Sequence, residues 1–128
     1  MGICCRAGTT SRYSFGDAIT SGNANYADSA SSRTSEVGAY SANPWGLHDM
    51  HGNVWEWVED DWHENYQAAP TDGSAWKDAG AARNPRLCVL RGGSWNFNPW
   101  YCRSAYRFRS DADVRNYTLG FRVARTLS

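Results

Sequence analysis

Apolar and polar positions alternate most clearly in NVWEWVEDDW, where Trp55 and Trp57 fall on one face of an extended segment and Val54, Glu56 and Val58 on the other. The alternation predicts a strand from Val54 through Val58. A carboxylate between two valines on an inward face needs a partner, because an unpaired buried charge is costly; a cation is the economical answer, and an arginine such as Arg91 is the other. LCVLRGG, from Leu87, reads as a short buried strand that ends at a glycine pair, and LGFRVAR, from Leu119, as a last strand with Phe121 and Val123 on one face. Residues 1–16 suggest a short helix end, a turn and a brief strand-like piece around Tyr13 to Phe15. Between Asp17 and Glu36 only Ile19 and Tyr26 are plausible anchors, which predicts a long surface loop that something must tie down, a bound ion being one such tie. Residues 63–86 form a polar connection with turn chemistry at Pro70, Asp72-Gly73, Gly80 and Asn84-Pro85. The expected architecture is α+β, with few helices, a small mixed or antiparallel sheet and about half of the chain in loops.

One stretch breaks the periodicity. Between the RGGSW that starts at Arg91 and the GFRVAR that ends at Arg125 lie Phe97, Trp100, Tyr101, Tyr106, Phe108 and Tyr117, in no helical or strand period that would bury them all. Large aromatics among Asn, Asp, Ser and Arg are the composition of a binding surface, since Tyr and Trp give wide contact area with few rotors.

Composition narrows the choices. A chain of 128 residues with 41% hydrophobic residues is expected to be one domain over 1–128. Seven tryptophans and twelve glycines argue against a helical bundle. Thirteen basic and thirteen acidic side chains cancel, so no global field draws the chain to nucleic acid or an anionic membrane. Arg103, Arg107, Arg109, Arg115, Arg122 and Arg125 do cluster in the last third, either as a basic patch or as arginines that pair with Asp111 and Asp113 and lie on aromatics. No segment approaches the roughly 20 apolar residues of a membrane span, no charged-then-apolar leader opens the chain, and Arg6 stands where a myristoylation pattern wants Ser or Thr. The chain reads as soluble, with no membrane insertion expected. Cys4, Cys5, Cys88 and Cys102 lack the spacing of a zinc site; Cys88 and Cys102 either pair in an oxidising compartment or pack as small buried thiols.

CRAGT, YSFGD, NPWGLHDMHGNVWEW, VLRGGSW, CRSAYR and GFRVAR together resemble, in order, the formylglycine-generating-enzyme/sulfatase-modifying domain family. The resemblance implies a C-type-lectin-like fold, poor in regular structure, and covers what looks like the C-terminal half of a full family domain. Oxidases of the family bind copper through two cysteines placed after RGGS and separated by four residues. Here the matching positions are Phe97 and Cys102, and one thiolate does not make a two-thiolate Cu(I) site; no copper and no oxidase activity are therefore expected. Related iron-dependent sulfoxide synthases take histidines from another domain, and His48, His51 and His63 read as loop or surface residues. The family also binds calcium, which implies a Ca2+ held by the carboxylates of Asp49 and Glu56 and the carbonyls of Gly52 and Val54, hard oxygen donors that suit this ion. A second family site near Asn25 and Tyr26 lacks an evident acidic partner downstream.

The aromatic stretch is similar to something narrower, the variable proteins of diversity-generating retroelements, in which adenines of a template are copied with errors. The resemblance implies a fixed frame of RGGSW, Pro99, CRSA, Arg107, Asp111 to Asp113, Arg115 and GFRV. It implies variable slots, within 91–123, at Asn96, Phe97, Asn98, Trp100, Tyr101, Tyr106, Phe108, Arg109, Ser110, Val114, Asn116, Tyr117 and Thr118. Most slot residues are reached from an Asn codon by changing adenines; Trp100 needs a template codon ending in G. The function so implied is a non-catalytic ligand-binding protein whose slots face a partner, expected to be a protein, with Trp100, Tyr101, Tyr106 and Phe108 as its strongest contacts. The alternatives are an oxidase that makes formylglycine and a family member whose aromatics are buried in an oligomer.

Overall fold

A computed structural model describes residues 2–29, 31–78 and 86–124. A short helix α1 (Gly2–Arg6) is followed by nearly fifty residues of loop before strand β1 (Trp55–Asp61). Then come β2 (Leu87–Arg91), a 3-10 turn (Pro99–Cys102), β3 (Phe108–Asp111) and β4 (Leu119–Gly120). The strands form one sheet in the order β3-β2-β1-β4, with β2 antiparallel to both β1 and β3 and β4 parallel to β1. The predicted α+β, loop-rich architecture and the mixed sheet are therefore present.

Four local expectations change. The strand expected over Val54–Val58 starts one residue later and runs to Asp61, with an irregularity between Trp57 and Asp61. The piece around Tyr13 is a turn closed by Tyr13 and Gly16, whose backbones exchange hydrogen bonds of 3.0 and 3.2 Å. The last strand stops at Gly120, leaving Phe121 and Val123 exposed. Conversely, the aromatic stretch contains regular structure that its composition did not announce: β3 and the 3-10 turn, the latter capped by Asn98, whose side chain accepts from the Trp100 N–H. Gly80 and Asn84-Pro85 lie outside the described residues.

The core is small and set by close approach. Trp55, Val89, Leu90, Ser94 and Cys102 are its most buried members. At Gly93 the backbone has φ +76°, and a Cβ there would lie 2.6 Å from Cys102 Sγ, so the glycine of RGGS is what lets Cys102 seat against the sheet. Gly52 has the same role: with φ +85°, a Cβ would stand 2.1 Å from the carbonyl oxygen of Asn25.

That contact also explains the long loop. Its buried anchors are Ala24 and Asn25, whereas Ile19 and Tyr26 are only half-buried. The Asn25 carbonyl accepts from Asn53 N–H at 2.8 Å, and its side-chain amide donates to the carbonyl of Arg33 at 2.9 Å and accepts from Ser29. Asn53 in turn accepts from the Ser35 N–H through Oδ1 at 2.9 Å. Hydrogen bonds from buried amides thus tie the loop down.

His51 corrects the expectation of a surface histidine. It is buried, edge-on to Tyr13 and Phe15. Its Nε2 accepts from the Ser14 backbone N–H at 3.0 Å, and its Nδ1 lies 2.8 Å from the Cys102 carbonyl, which can only accept. The two neighbours fix the neutral Nδ1–H tautomer. Burial pushes the imidazole pKa below its ordinary 6.5, with the Cys102 carbonyl opposing in part. The folded state therefore binds this proton less readily than the unfolded chain. The stabilisation is complete above about pH 6.5 and is lost as pH falls through the lowered folded value. Urea midpoints measured from pH 7.5 to 5 should fall across this window, and His51→Gln should flatten that part of the profile; an unchanged slope in the variant would show that another group is responsible.

Candidate ligand-binding face

The face is built on Trp55, buried in β1. Phe108 from β3 stacks on it at a centroid distance of 5.3 Å and 28°, Phe97 meets it edge-on at 5.5 Å, and Tyr106 and Tyr101 approach at 6.1 and 6.4 Å. Tyr101 also sits edge-on to both Phe97 and Tyr106. These four slot residues form a second aromatic layer with its inner side on the core. Phe97, Tyr101 and Tyr106 are half-buried, and burial raises the Tyr106 phenol above its ordinary pKa.

The outermost layer is more exposed. Trp100 is 52% and Tyr117 74% accessible, and Asn96, Asn98, Phe108, Arg109, Val114 and Asn116 also face solvent. Ser110 is half-buried on β3. Thr118 departs from the slot pattern: it is buried, its carbonyl accepts from the Trp55 N–H at 2.8 Å, and its hydroxyl turns back to Asn116. It belongs to the frame. The three asparagines also serve the backbone: Asn96 Oδ1 accepts from Ser94, Asn98 Oδ1 from Trp100 N–H and Asn116 Oδ1 from Thr118 N–H.

Several residues of this surface fell outside the slot pattern. Arg103 lies 3.4 Å from the centroid of Trp100 and donates to its carbonyl. Arg107 sits over both Trp62 (4.6 Å) and Tyr66 (4.3 Å), and Arg109 over Trp62 while pairing with Glu64 at 2.7 Å. Arg103, Arg107 and Arg109 are therefore laid on aromatics, as one of the two readings had it, but the carboxylate that Arg109 meets is Glu64 and not Asp111 or Asp113, Arg122 meets Glu56, and Arg125 lies outside the described residues. The alternation of aromatic and charged residues in WHENY, at 62–66, was the available signal. A recess of about 120 Å³ opens beside this patch, with Tyr66, Trp76, Arg91 and Arg107 among its lining residues.

On the opposite side of β1, Glu56 is buried and both its oxygens are held by Arg122, Nε to Oε2 at 2.6 Å and Nη2 to Oε1 at 2.5 Å. The guanidinium also donates to the carbonyls of His48 and Asp49. Arg91 stands across the ladder from Glu56 but directs its guanidinium to the carbonyls of Ser104 and Tyr106 and to the Tyr66 hydroxyl. Asp49 accepts from Gly38 N–H through Oδ2 at 2.6 Å, while its Oδ1 is buried without a partner. Gly52 is buried and Val54 half-buried on the turn into β1. Of the four residues expected to hold calcium, Asp49 and Glu56 thus meet Arg122, the first through its carbonyl and the second through its carboxylate. Among the described residues no three His, Cys, Asp or Glu side chains converge as a metal cluster.

All four cysteines are free thiols; Cys5, Cys88 and Cys102 are buried and Cys4 is exposed. Of the two readings for Cys88 and Cys102, the structure has the packed thiols. Burial, with the nearby Cys5 adding to it, pushes the Cys102 thiol up to about 12.

Residues 2–127 match the model of the sulfatase-modifying factor enzyme 1-like domain. The chain belongs to this family. A serine/threonine-protein kinase pkn1 of Chlamydia caviae is 39% identical over 123 residues, 94% of this chain but 19% of the kinase. The formylglycine-generating enzyme of Streptomyces coelicolor is 35% identical over 130 residues, covering 88% of this chain and 40% of the enzyme. Among solved structures, PvdO from Pseudomonas aeruginosa superimposes with a TM-score of 0.84 at 35% identity, over 94% of this chain and 47% of PvdO. Treponema denticola variable protein 1 does so with a TM-score of 0.70 at 31% identity, over 94% and 42%. The fold is the C-type-lectin-like one of the family, and this chain spans less than half the length of each of these relatives.

The layering predicts a split between rings. The double variant Trp100→Ala, Tyr117→Ala, which removes exposed side chains, should keep stability within about 0.5 kcal/mol of the parent. Tyr106→Ala, which strips a ring from Trp55, should lower it by about 2 kcal/mol. Urea denaturation checks both, and an unfolded double variant would show that the outer layer is core.

Proposed function

We propose that this chain is a non-catalytic ligand-binding module that presents a variable surface on a fixed scaffold, with a protein as its partner. The observation that carries the reading is the packing around Trp55: Phe97, Tyr101, Tyr106 and Phe108 lie on it, and Trp100, Arg109, Val114 and Tyr117 of the same stretch are exposed. Aromatic and arginine side chains held by a packed layer beneath lose little freedom on binding, which is how a few residues come to dominate an interface. The likeness to Treponema denticola variable protein 1 supports the reading.

The competing reading is the oxidase, favoured by the likeness to formylglycine-generating enzymes. Against it stands Phe97, whose ring lies on Trp55 where the family pattern has the first thiol, which leaves Cys102, fully buried, as a single thiol. Incubation with copper, oxygen and a cysteine-containing peptide should yield no aldehyde, and sequencing this gene from many cells of one source should show substitutions concentrated in the exposed slots and absent from Thr118. Aldehyde formation, or a uniform spread of substitutions, would sink the proposal.

We further propose that the domain takes a structural Ca2+ through Asp49, Glu56 and the carbonyls of Gly52 and Val54. The donors are hard oxygens, and the buried, unpartnered Asp49 Oδ1 is the atom a cation would satisfy. Arg122 shares Glu56, so the ion would meet a carboxylate already partly neutralised. Because a ligand of the native state alone raises stability, millimolar calcium should raise Tm by a few degrees over EGTA, and Asp49→Ala should abolish the difference. A Tm indifferent to calcium in the parent would overturn the assignment.

A further inference from the structure

The start of the chain brings two arginines to the rim of the aromatic stretch. Arg6, at the end of α1, donates through Nη1 to the carbonyl of Ser11 at 2.8 Å, and the carbonyl of Arg12 accepts from the N–H of Ser104 at 2.8 Å. Arg12 thereby stands close to Arg103, whose guanidinium carbon lies 3.4 Å from the centroid of Trp100 and 5.9 Å from that of Tyr106, with Nε donating to the Trp100 carbonyl at 2.9 Å. Tyr13, buried with its hydroxyl on the Pro99 carbonyl, is near both: burial raises its phenol, and the guanidiniums of Arg103 and Arg12 oppose the rise. Arg86, Arg109 and Arg122 each meet a carboxylate, that of Asp61, Glu64 and Glu56 in turn. Among the described residues, Arg6, Arg12 and Arg103 meet none. Asp17, at this corner, turns Oδ1 to the backbone N–H of Arg12. A chain without net charge thus carries a local excess of positive charge, assembled from opposite ends of its sequence.

We propose that Arg12 and Arg103 form a constant cationic anchor at the rim of the variable face, and that it takes an Asp or Glu side chain of the protein partner. The inference rests on the ligand-binding reading above and adds the partner's chemistry to it. Contact with the Trp100 ring and the bond at Nε hold the Arg103 guanidinium, and among the described residues both of its Nη groups are without a partner. A guanidinium so held takes a carboxylate through two parallel hydrogen bonds with little further loss of freedom. The bond at Nε goes to a backbone carbonyl, so it survives a change of side chain at position 100. Arg12, exposed beside it, adds a second charge, and Arg6 a third behind them. Complementary charge guides encounter and fixes register more than it adds affinity, which suits a face whose other contacts change. A nucleic acid fits less well, since its affinity comes from many phosphate contacts and this corner offers few.

The test pans a phage-displayed library of random dodecapeptides on the chain and keeps the peptides that bind it but not the Trp100→Ala, Tyr117→Ala variant. These should be enriched in Asp and Glu. Arg12→Gln with Arg103→Gln should weaken their binding at least about tenfold, the loss of a bidentate charge-assisted contact. Raising salt from about 50 to about 300 mM should weaken binding to the parent more than to this variant. Replacing the acidic residue of a selected peptide by Asn or Gln should cost as much in the parent and little in the variant. Arg12→Gln alone, at an exposed side chain, should keep Tm within about 1 °C and still account for part of the loss, which separates the anchor from any folding defect at Arg103. Peptides that need the two rings yet lack acidic residues and ignore both arginines would overturn the anchor and leave the ligand-binding reading intact. A library that yields no ring-dependent binder would overturn both. Tight binding of a thymidine dodecanucleotide that the arginine variant loses would assign the corner to phosphate instead.

Discussion

Asn25, Asn43, His51 and Asn53 sit inside this domain where a larger protein would place apolar side chains, and the fold depends on them. With most of the chain in loops, peptide groups cannot find partners in ladders or helices, and a buried group left unpaired costs about 1–3 kcal/mol. Asn43 shows how one side chain meets that demand in several places: its amide nitrogen donates to the carbonyl of Cys4 at 2.7 Å, and its oxygen accepts from the N–H groups of Trp45 and Leu47. The end of α1 is thereby held to the NPWG turn. His51 joins Ser14 to Cys102, and Asn25 with Asn53 joins the long loop to the start of β1. Each of these polar groups stands in for a secondary structure that the sequence does not form.

On that frame, β1 separates two environments by a single peptide. Trp55 points to the aromatic layers and Glu56, its neighbour, to Arg122. The first carries four rings of the aromatic stretch, while the exposed rings at 100 and 117 meet Arg103 and Trp95 instead. The second fixes the C-terminal segment, and a charge buried with so close a partner cannot lose that partner without a large cost. Arg122 differs from the arginines laid on Trp62 and Trp100 in what it meets, a buried carboxylate and not the face of a ring.

Much of this was legible in the chain. Val54–Val58 and Leu87 announce β1 and β2 because their apolar positions alternate or run together where the sheet buries them, and in RGGSW, read as frame by resemblance, Gly93 is the glycine that lets Cys102 approach. The sequence was silent where the answer lies in distant residues. His51 looks like any loop histidine until Ser14 and Cys102 are placed on either side of it. Glu56 calls for a positive partner, but nothing local selects Arg122 over Arg91, which is nearer in the ladder. Phe121 and Val123 alternate as a strand should, yet β4 ends at Gly120 and both side chains are exposed. Of the slot positions, Trp100, Phe108 and Tyr117 are exposed, whereas Phe97, Tyr101 and Tyr106 lean on Trp55 and Thr118 turns inward; β3 and the turn at Pro99 give them a backbone more regular than their composition suggests.

Cys5, Cys88 and Cys102 carry a last implication. Small disulfide-built domains are closed by oxidation, and their architecture is tied to the redox state of their surroundings. Here the inward sulfurs fill space as thiols, Cys102 in the notch that Gly93 leaves for it. Closure of the fold therefore consumes no oxidant and is undone by no reductant, so a scaffold of this kind can present the same surface on either side of a membrane without rebuilding its interior.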